Sequence, residues 1–203
     1  MIAAIINYGM GNTFSVKQTI EKIGFKVFIA NHPNELKKAS KIILPGVGAF
    51  NKAMKNLNAD GWVEALAKFV KKDKVPLLGI CLGMQLLAKS SNEMSSTEGL
   101  SFINGNVVRL DQLGCKSKLP HVGWNNVKLK EDPITKGIKQ NSDFYFVHSY
   151  AFKPLDEELV IGTANYGIDI ISIIKNENII GAQFHPEKSS SSGEVLLKNF
   201  LEM

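Results

Sequence analysis

A thiol, an imidazole and a carboxylate occur in this chain in contexts that suit covalent acyl transfer. Gly79-Ile80-Cys81-Leu82-Gly83 has the form glycine–x–nucleophile–x–glycine, and the apolar residues 76–80 run straight into it. That is the pattern of a strand ending in a sharp turn that exposes its central side chain. The glycines let neighbouring backbone pass where a Cβ would clash. A helix starting at Leu82 would aim its N-terminal amides at the sulfur and stabilise a thiolate. His185-Pro186-Glu187 supplies the other half. A residue before proline is biased toward extended backbone, and in an extended segment residues i and i+2 point the same way. Glu187 could then steady the His185 ring while the ring activates Cys81. Pro45-Gly46-Val47-Gly48, after the apolar run 41–44, could present N–H groups to a developing oxyanion, with the Leu82 amide as second donor.

Each segment also has a plainer reading. A free Cys is most often a buried structural residue, His-Pro-Glu can be an ordinary loop, and Pro-Gly-Val-Gly can be a turn between a strand and a helix. The elbow cysteine and the His-Pro-Glu triplet in one chain are what favour chemistry. Gly9-Met10-Gly11 invites a dinucleotide reading, but a third glycine would be needed at position 14, where Phe14 stands. Cys115 lies between Gly114 and Lys116, without elbow or base, and reads as a bystander.

The elements that must position these groups alternate in type. Residues 2–6 form a continuous apolar run ending in Asn7-Tyr8-Gly9, as a buried strand followed by a turn would, and the chain from Met1 reads as the first strand's lead-in rather than a secretory signal. Val16, Ile20 and Ile23 have helical spacing, and Gly24 follows as a stop. Residues 26–30 and 41–44 read as strands, and 62–70 as a helix with Trp62, Leu66, Phe69 and Val70 on one face. Such alternation predicts a parallel sheet covered on both faces. The second half changes character: 102–110, 123–129, 144–147, 159–163, 170–175 and 179–184 are strand-like, and a helix at about 193–201 closes the chain. The expected fold is α/β, a mostly parallel central sheet flanked by helices and extended by an antiparallel meander, in a single domain over 1–203.

Composition narrows the function classes. The chain has 203 residues, 44% hydrophobic and 21% charged, ordinary for a globular protein. No apolar run approaches the ~20 residues of a membrane span, so no membrane partner is expected. The net charge of +5 comes from dispersed lysines with a single arginine, Arg109, which argues against nucleic acid. Two cysteines and four scattered histidines lack metal-ligand spacing. No metal and no cofactor is expected.

Beyond these local readings, GICLGMQ at 79–85, HPEKS at 185–189 and PGVG at 45–48 resemble the class I glutamine amidotransferases, whose domain is flavodoxin-like. More narrowly, YGMGN at 8–12, LPHVGWN at 119–125 and YFVHSY at 145–150 resemble the HisH-type glutaminase subunits of imidazole glycerol phosphate synthase, and the matches keep their order along the whole chain. The resemblance implies Cys81 as nucleophile, His185 as base and Glu187 as its orienter. It implies oxyanion amides from Val47, Gly48 and Leu82, and a glutamine pocket lined by Gln85, Glu93, His148, Ser149 and Tyr150. Pro120, His121, Gly123, Trp124 and Asn125, with Lys188, would face the partner.

The resemblance further implies a cytoplasmic enzyme that hydrolyses L-glutamine. Its ammonia would pass to a (β/α)8-barrel cyclase (HisF-type), in a heterodimer that forms imidazole glycerol phosphate and a purine-precursor carboxamide. The chain departs from the pattern at Asn7, where Asp is common, and at Thr13, where an aliphatic residue is. Paralogous subunits that feed sugar-modifying synthetases of surface glycans match nearly as well and stand as the alternative. Two readings of other classes are a stand-alone cysteine hydrolase and a catalytically silent module that only caps a partner.

Overall fold

The computed structural model describes residues 2–203; Met1 lies outside the described residues. The first half alternates strands and helices: β1 (Ala3–Ile6), α1 (Thr13–Lys22), β2 (Val27–Ala30), β3 (Lys41–Gly46), α2 (Phe50–Ala59), α3 (Trp62–Leu66), β4 (Leu77–Cys81) and α4 (Leu82–Gln85). The second half is β-rich: β5 (Ser90–Ser91), β6 (Thr97–Glu98), β7 (Gly105–Arg109), β8 (His121–Leu129), β9 (Ser142–His148) and β10 (Tyr150–Pro154). β11 (Val160–Asn165), β12 (Asp169–Asn176), β13 (Ile179–Ala182) and the closing α5 (Ser190–Glu202) follow.

A nine-stranded sheet in the order β2-β1-β3-β4-β13-β12-β11-β8-β9 organises the molecule. Pairing is parallel from β2 through β13 and antiparallel from β13 to β9. The fold is therefore the expected α/β architecture. Both faces of the parallel part are buried, and the two-residue period of a strand divides β1 between them. Ala3 and Ile5 pack with Val16 and Ile20 of α1 and with Leu196, Leu197 and Phe200 of α5. Ala4 and Ile6 pack on the other side with Phe50, Ala53 and Leu57 of α2 and Trp62 and Leu66 of α3.

Three expectations need correction. The apolar stretch at 102–110 does not extend the main sheet: only Gly105–Arg109 is extended, and β7 joins a second sheet in the order β10-β7-β5-β6. The strand at 179–184 stops at Ala182. The helix after Cys81 is a single turn of four residues, so it carries little macrodipole, and any help to the sulfur comes from individual amides. α2 is an element beyond those the sequence pattern indicates, although Phe50, Ala53, Met54 and Leu57 are buried at helical spacing. Its start is hard to see because Ala49 at the N-cap offers no side-chain acceptor.

The elbow is built by close approach. Cys81 has φ 54° and ψ −111°, a conformation that costs a non-glycine residue roughly 1–3 kcal/mol and persists only when its surroundings impose it. Here β4 is clamped between β3 and β13, with Leu44 and Gly181 both in register with Gly79. A Cβ on Gly79 would sit 2.6 Å from the Gly83 carbonyl oxygen, and one on Gly83 would overlap the Leu44 carbonyl oxygen. Gly24, which ends α1 at φ +89°, has open space around it. We therefore expect Gly83→Ala to lower stability by about 1–3 kcal/mol from overpacking alone, and Gly24→Ala by about 1–2 kcal/mol from its dihedral alone. Urea denaturation of the two variants measures both losses; a Gly83→Ala variant as stable as the unsubstituted protein would mean that Gly83 is not held against β3.

Candidate active site

The elbow opens into a cavity of about 420 Å³ between β3, α4 and the corner where β9 turns into β10. Val47 and Gly48 come from the segment after β3, and Cys81, Leu82 and Gln85 from the elbow. Glu93 enters from the loop between β5 and β6, and His148, Ser149 and Tyr150 from the β9–β10 corner, while His185 and Pro120 complete the lining. The structure thus brings together every residue the resemblance placed at the nucleophile, the oxyanion amides and the pocket, except Glu187, which sits behind His185. Among the described residues no group of His, Cys, Asp and Glu side chains is arranged to hold a metal ion.

His185 keeps the extended backbone expected before proline, φ −97° and ψ 96°. Its contact with Glu187 is not made along a strand, however. Pro186–Lys188 form a 3-10 turn that folds the carboxylate back, so that the His185 Nδ1 lies 2.9 Å from Glu187 Oε1, both side chains being buried. The turn is tied to β9. The Ser189 hydroxyl donates to the His185 carbonyl at 2.6 Å and accepts the Tyr145 amide at 3.0 Å, while the His185 amide donates to the Tyr145 carbonyl.

With Nδ1 committed, Nε2 is buried and makes no hydrogen bond of closed geometry among the described residues. The sulfur of Cys81 is nevertheless near enough to act on the ring. Burial alone would push the His185 pKa down, but the neighbouring Cys81 sulfur and the hydrogen bond and charge of Glu187 outweigh it and raise it to about 10. The ring is therefore set up to hold its proton beside the Cys81 sulfur, a loose pair of the kind that tightens when substrate arrives.

The other two buried histidines behave oppositely. The His148 Nδ1 faces the Tyr150 carbonyl at 2.8 Å, and a carbonyl only accepts, so Nδ1 carries the proton. His148 Nε2 must then accept from His121 Nδ1 at 3.0 Å, and His121 Nε2 is left to accept from the Asn125 carboxamide at 3.3 Å. Each tautomer follows from the next. Burial pushes both His121 and His148 down to about 4. For His148 the Tyr150 hydrogen bond opposes the shift, and charge on His121 and His185 deepens it.

His121 was expected on the partner-facing surface. Its side chain is instead buried and stacked between Phe146 and Tyr166, at centroid distances of 4.8 and 4.0 Å. Asn125 also points inward, donating to the Asn165 carbonyl as well as to His121. The outward apolar residues of β8 are Val122 and Trp124, 55% and 53% exposed, and they pair across the ladder with Val147 and Tyr145 of β9. Lys188 lies over the Tyr145 ring at 5.7 Å. Val122, Tyr145 and Val147 were missed as surface residues, although the two-residue period of a strand groups them with Trp124.

The tether of Glu93 was also not foreseen: its Oε2 accepts the Phe50 amide at 2.9 Å and so caps α2 from a distant loop. Of the departures from the family pattern, Asn7 pairs its amide with Asn31 at 2.8 Å and takes the Gly9 amide, and Thr13 begins α1. Neither lines the cavity. Tyr8, the first residue of the 8–12 motif, buries a hydroxyl with no partner among the described residues. Burial, with a smaller push from the charge of Cys81, raises its pKa above the usual phenol range.

Comparison with known proteins agrees with this geometry. The family described as glutamine amidotransferase class-I matches residues 4–203. A Campylobacter jejuni protein named imidazole glycerol phosphate synthase subunit HisH 1 is 47% identical over 201 residues, covering 98% of this chain and 99% of that one. The subunit HisH of Methanocaldococcus jannaschii is 46% identical over 200 residues, covering 98% of each chain. A crystal structure of a glutamine amidotransferase superposes with TM-score 0.77 at 20% identity, covering 98% of this chain and 97% of that one. The structure of PurLQS from Thermotoga maritima gives TM-score 0.77 at 16% identity, covering 99% and 97%. These two structural likenesses speak for the fold.

The histidines set the pH dependence of stability. An ordinary His titrates near ~6.5; one depressed to about 4 in the folded chain gives its full contribution above ~6.5 and loses it as pH falls toward 4. His185, raised to about 10, contributes fully below ~6.5 and loses that contribution as pH rises through 10. We expect the unfolding free energy from urea titration to fall between pH ~6.5 and ~4, by at most about 1.4 kcal/mol per pH unit for each proton. His121→Phe should make this acid limb shallower; an unchanged limb would show that these protons are taken up elsewhere.

Proposed function

The chain belongs to the class I glutamine amidotransferase family, and from that premise we infer that it is the glutaminase subunit of an imidazole glycerol phosphate synthase, hydrolysing L-glutamine to glutamate and ammonia in histidine biosynthesis. The observation that carries the glutaminase reading is the convergence on one cavity of an elbow thiol, Cys81, and a buried imidazole, His185, whose far nitrogen is held by Glu187 at 2.9 Å. Identity of 46–47% along nearly the whole chain to proteins named as this subunit favours the histidine-pathway acceptor over a sugar-modifying synthetase.

The geometry suits acyl transfer in two steps. The Cys81 thiolate attacks the side-chain amide carbon of glutamine, forming a carbon–sulfur bond and placing charge on the carbonyl oxygen. Amides of the Val47–Gly48 segment and of Leu82 are the donors for that oxyanion. As the tetrahedral adduct collapses, His185 gives its proton to the nitrogen, and the carbon–nitrogen bond breaks to release ammonia. A water molecule then loses a proton to His185 and attacks the thioester, releasing glutamate and the thiolate. Glu187 holds the ring's tautomer through both steps. Gln85, Glu93, His148, Ser149 and Tyr150 form the walls that receive the rest of the substrate.

Ammonia is useful only where water is excluded, so the acceptor site belongs to a partner. The exposed apolar strip of Val122, Trp124, Tyr145 and Val147, with Lys188 and Pro120 at its margin, borders the cavity and is the surface for a (β/α)8-barrel cyclase in a cytoplasmic heterodimer. Gly123 and Asn125 support that strip from the same strand.

In the reconstituted complex, Cys81→Ala should reduce glutamine-dependent synthesis by at least about a thousandfold, as loss of a covalent nucleophile does, while synthesis from added ammonia survives. Loss of both activities together would refute the division of labour between the subunits.

A further inference from the structure

Gln183 is fully buried two residues before His185, and neither the elbow nor the His-Pro-Glu triplet accounts for it. Its orientation is dictated by its neighbours. The Tyr150 carbonyl can only accept, so the Gln85 atom 2.9 Å from it is the amide nitrogen. The second N–H of that same nitrogen reaches Gln183 at 3.1 Å, so Gln183 must present its oxygen there. The opposite end of the Gln183 carboxamide is then its NH2 group, and it lies 3.8 Å from the Cys81 sulfur. The main chain is fixed as well, the Gln183 amide donating to the Ser172 carbonyl of β12 at 2.9 Å.

Among the described residues the sulfur has one other polar contact of this kind, the Val147 carbonyl at 3.8 Å. That oxygen accepts, so it suits the neutral S–H; the Gln183 amide donates, so it suits the charged sulfur. His185 also serves the charged sulfur, but only while it holds its proton. In the proposed reaction it gives that proton to the leaving nitrogen. A carboxamide does not titrate, and its donation persists in every protonation state of the ring.

We propose that Gln183 is a further functional residue of the glutaminase site, an N–H donor to the Cys81 thiolate whose orientation is locked by Gln85 and the Tyr150 carbonyl. The inference rests on the reading of Cys81 as nucleophile. Gln183 contributes to forming the thiolate for attack and to receiving charge on sulfur when the thioester is hydrolysed, in both cases without moving a proton.

The test uses the full-length chain with Gln183→Met, which keeps the length of the side chain but has no N–H, and Gln183→Leu as a second variant. Iodoacetamide alkylation is followed across pH, with mass spectrometry of peptides separating Cys81 from Cys115. Loss of one hydrogen bond to a charged group supports a drop of about tenfold to a hundredfold in the alkylation rate of Cys81 near neutral pH. The alkaline rise of the profile should move to higher pH, and kcat for glutamine should fall by a similar factor with KM changed little. Profiles that superpose on that of the unsubstituted protein in either folded variant would overturn the proposal. So would failure of both variants to fold, because Gln183 would then act through the core. An unsubstituted chain whose Cys81 alkylates but whose reconstituted complex does not hydrolyse glutamine would instead sink the glutaminase reading, and the alkylation profile would still report on Gln183.

Discussion

At the elbow, the backbone of β3 and the first turn of α4 approach so closely that residue 83 has no room for a Cβ beside the Leu44 carbonyl. Much of the site depends on that contact. It brings the segment after β3, with Val47 and Gly48, beside Leu82, so the proposed oxyanion donors come from two chain segments at one point. It also holds Cys81 at φ 54°, a geometry whose local cost is met by the buried sheet on either side. The rows Gly46–Cys81 and Gly181–Gly79 fix the height of the elbow against β3 and β13. Because β13 lies beside β4, the chain that leaves it delivers Gln183 and His185 to the same sulfur. Strand order, more than any loop, sets who meets Cys81.

β9 serves the cavity and the surface at once. Phe144, Phe146 and His148 point inward, while Tyr145 and Val147 point outward with Trp124 and Val122. The Val147 residue spans both environments: its side chain is part of the exposed apolar strip, and its carbonyl is 3.8 Å from the sulfur. Likewise Tyr145 uses its main chain to hold His185 and Ser189 and its ring to meet Trp124 and Lys188. The strip and the nucleophile are therefore separated by the thickness of a single strand.

The sequence shows the elbow and the His-Pro-Glu triplet plainly, because both depend on short-range geometry: glycine offsets and the backbone restriction before proline. The parallel half of the fold is equally legible, since buried strands read as continuous apolar runs. What could not be read depends on contacts between distant segments. Glu93 caps α2 across 43 positions, and a helix whose N-cap is Ala49 gives no local sign of where it starts. The inward turn of His121 follows from the alternation of β8, but its aromatic sandwich with Phe146 and Tyr166 is purely tertiary. Gln183 is invisible for a related reason. Its role comes from the direction of one carboxamide, set by a carbonyl 33 residues away and relayed through Gln85.

The protonation states around the sulfur form a consistent set. Cys81 and Glu187 hold His185 as a cation, with its pKa near 10, and that cation helps keep His148 neutral, near 4. Two histidines lining one cavity are thereby held in opposite states at neutral pH. A second imidazolium beside the first would be penalised by burial and by like charge. Neutral His148 accepts from His121 and donates to the Tyr150 carbonyl, the same oxygen that orients Gln85 and through it Gln183. A proton on His148 Nε2 would remove the acceptor on which His121 depends and leave two N–H groups opposed. The depressed histidine pair and the raised His185 are thus parts of one arrangement around the sulfur.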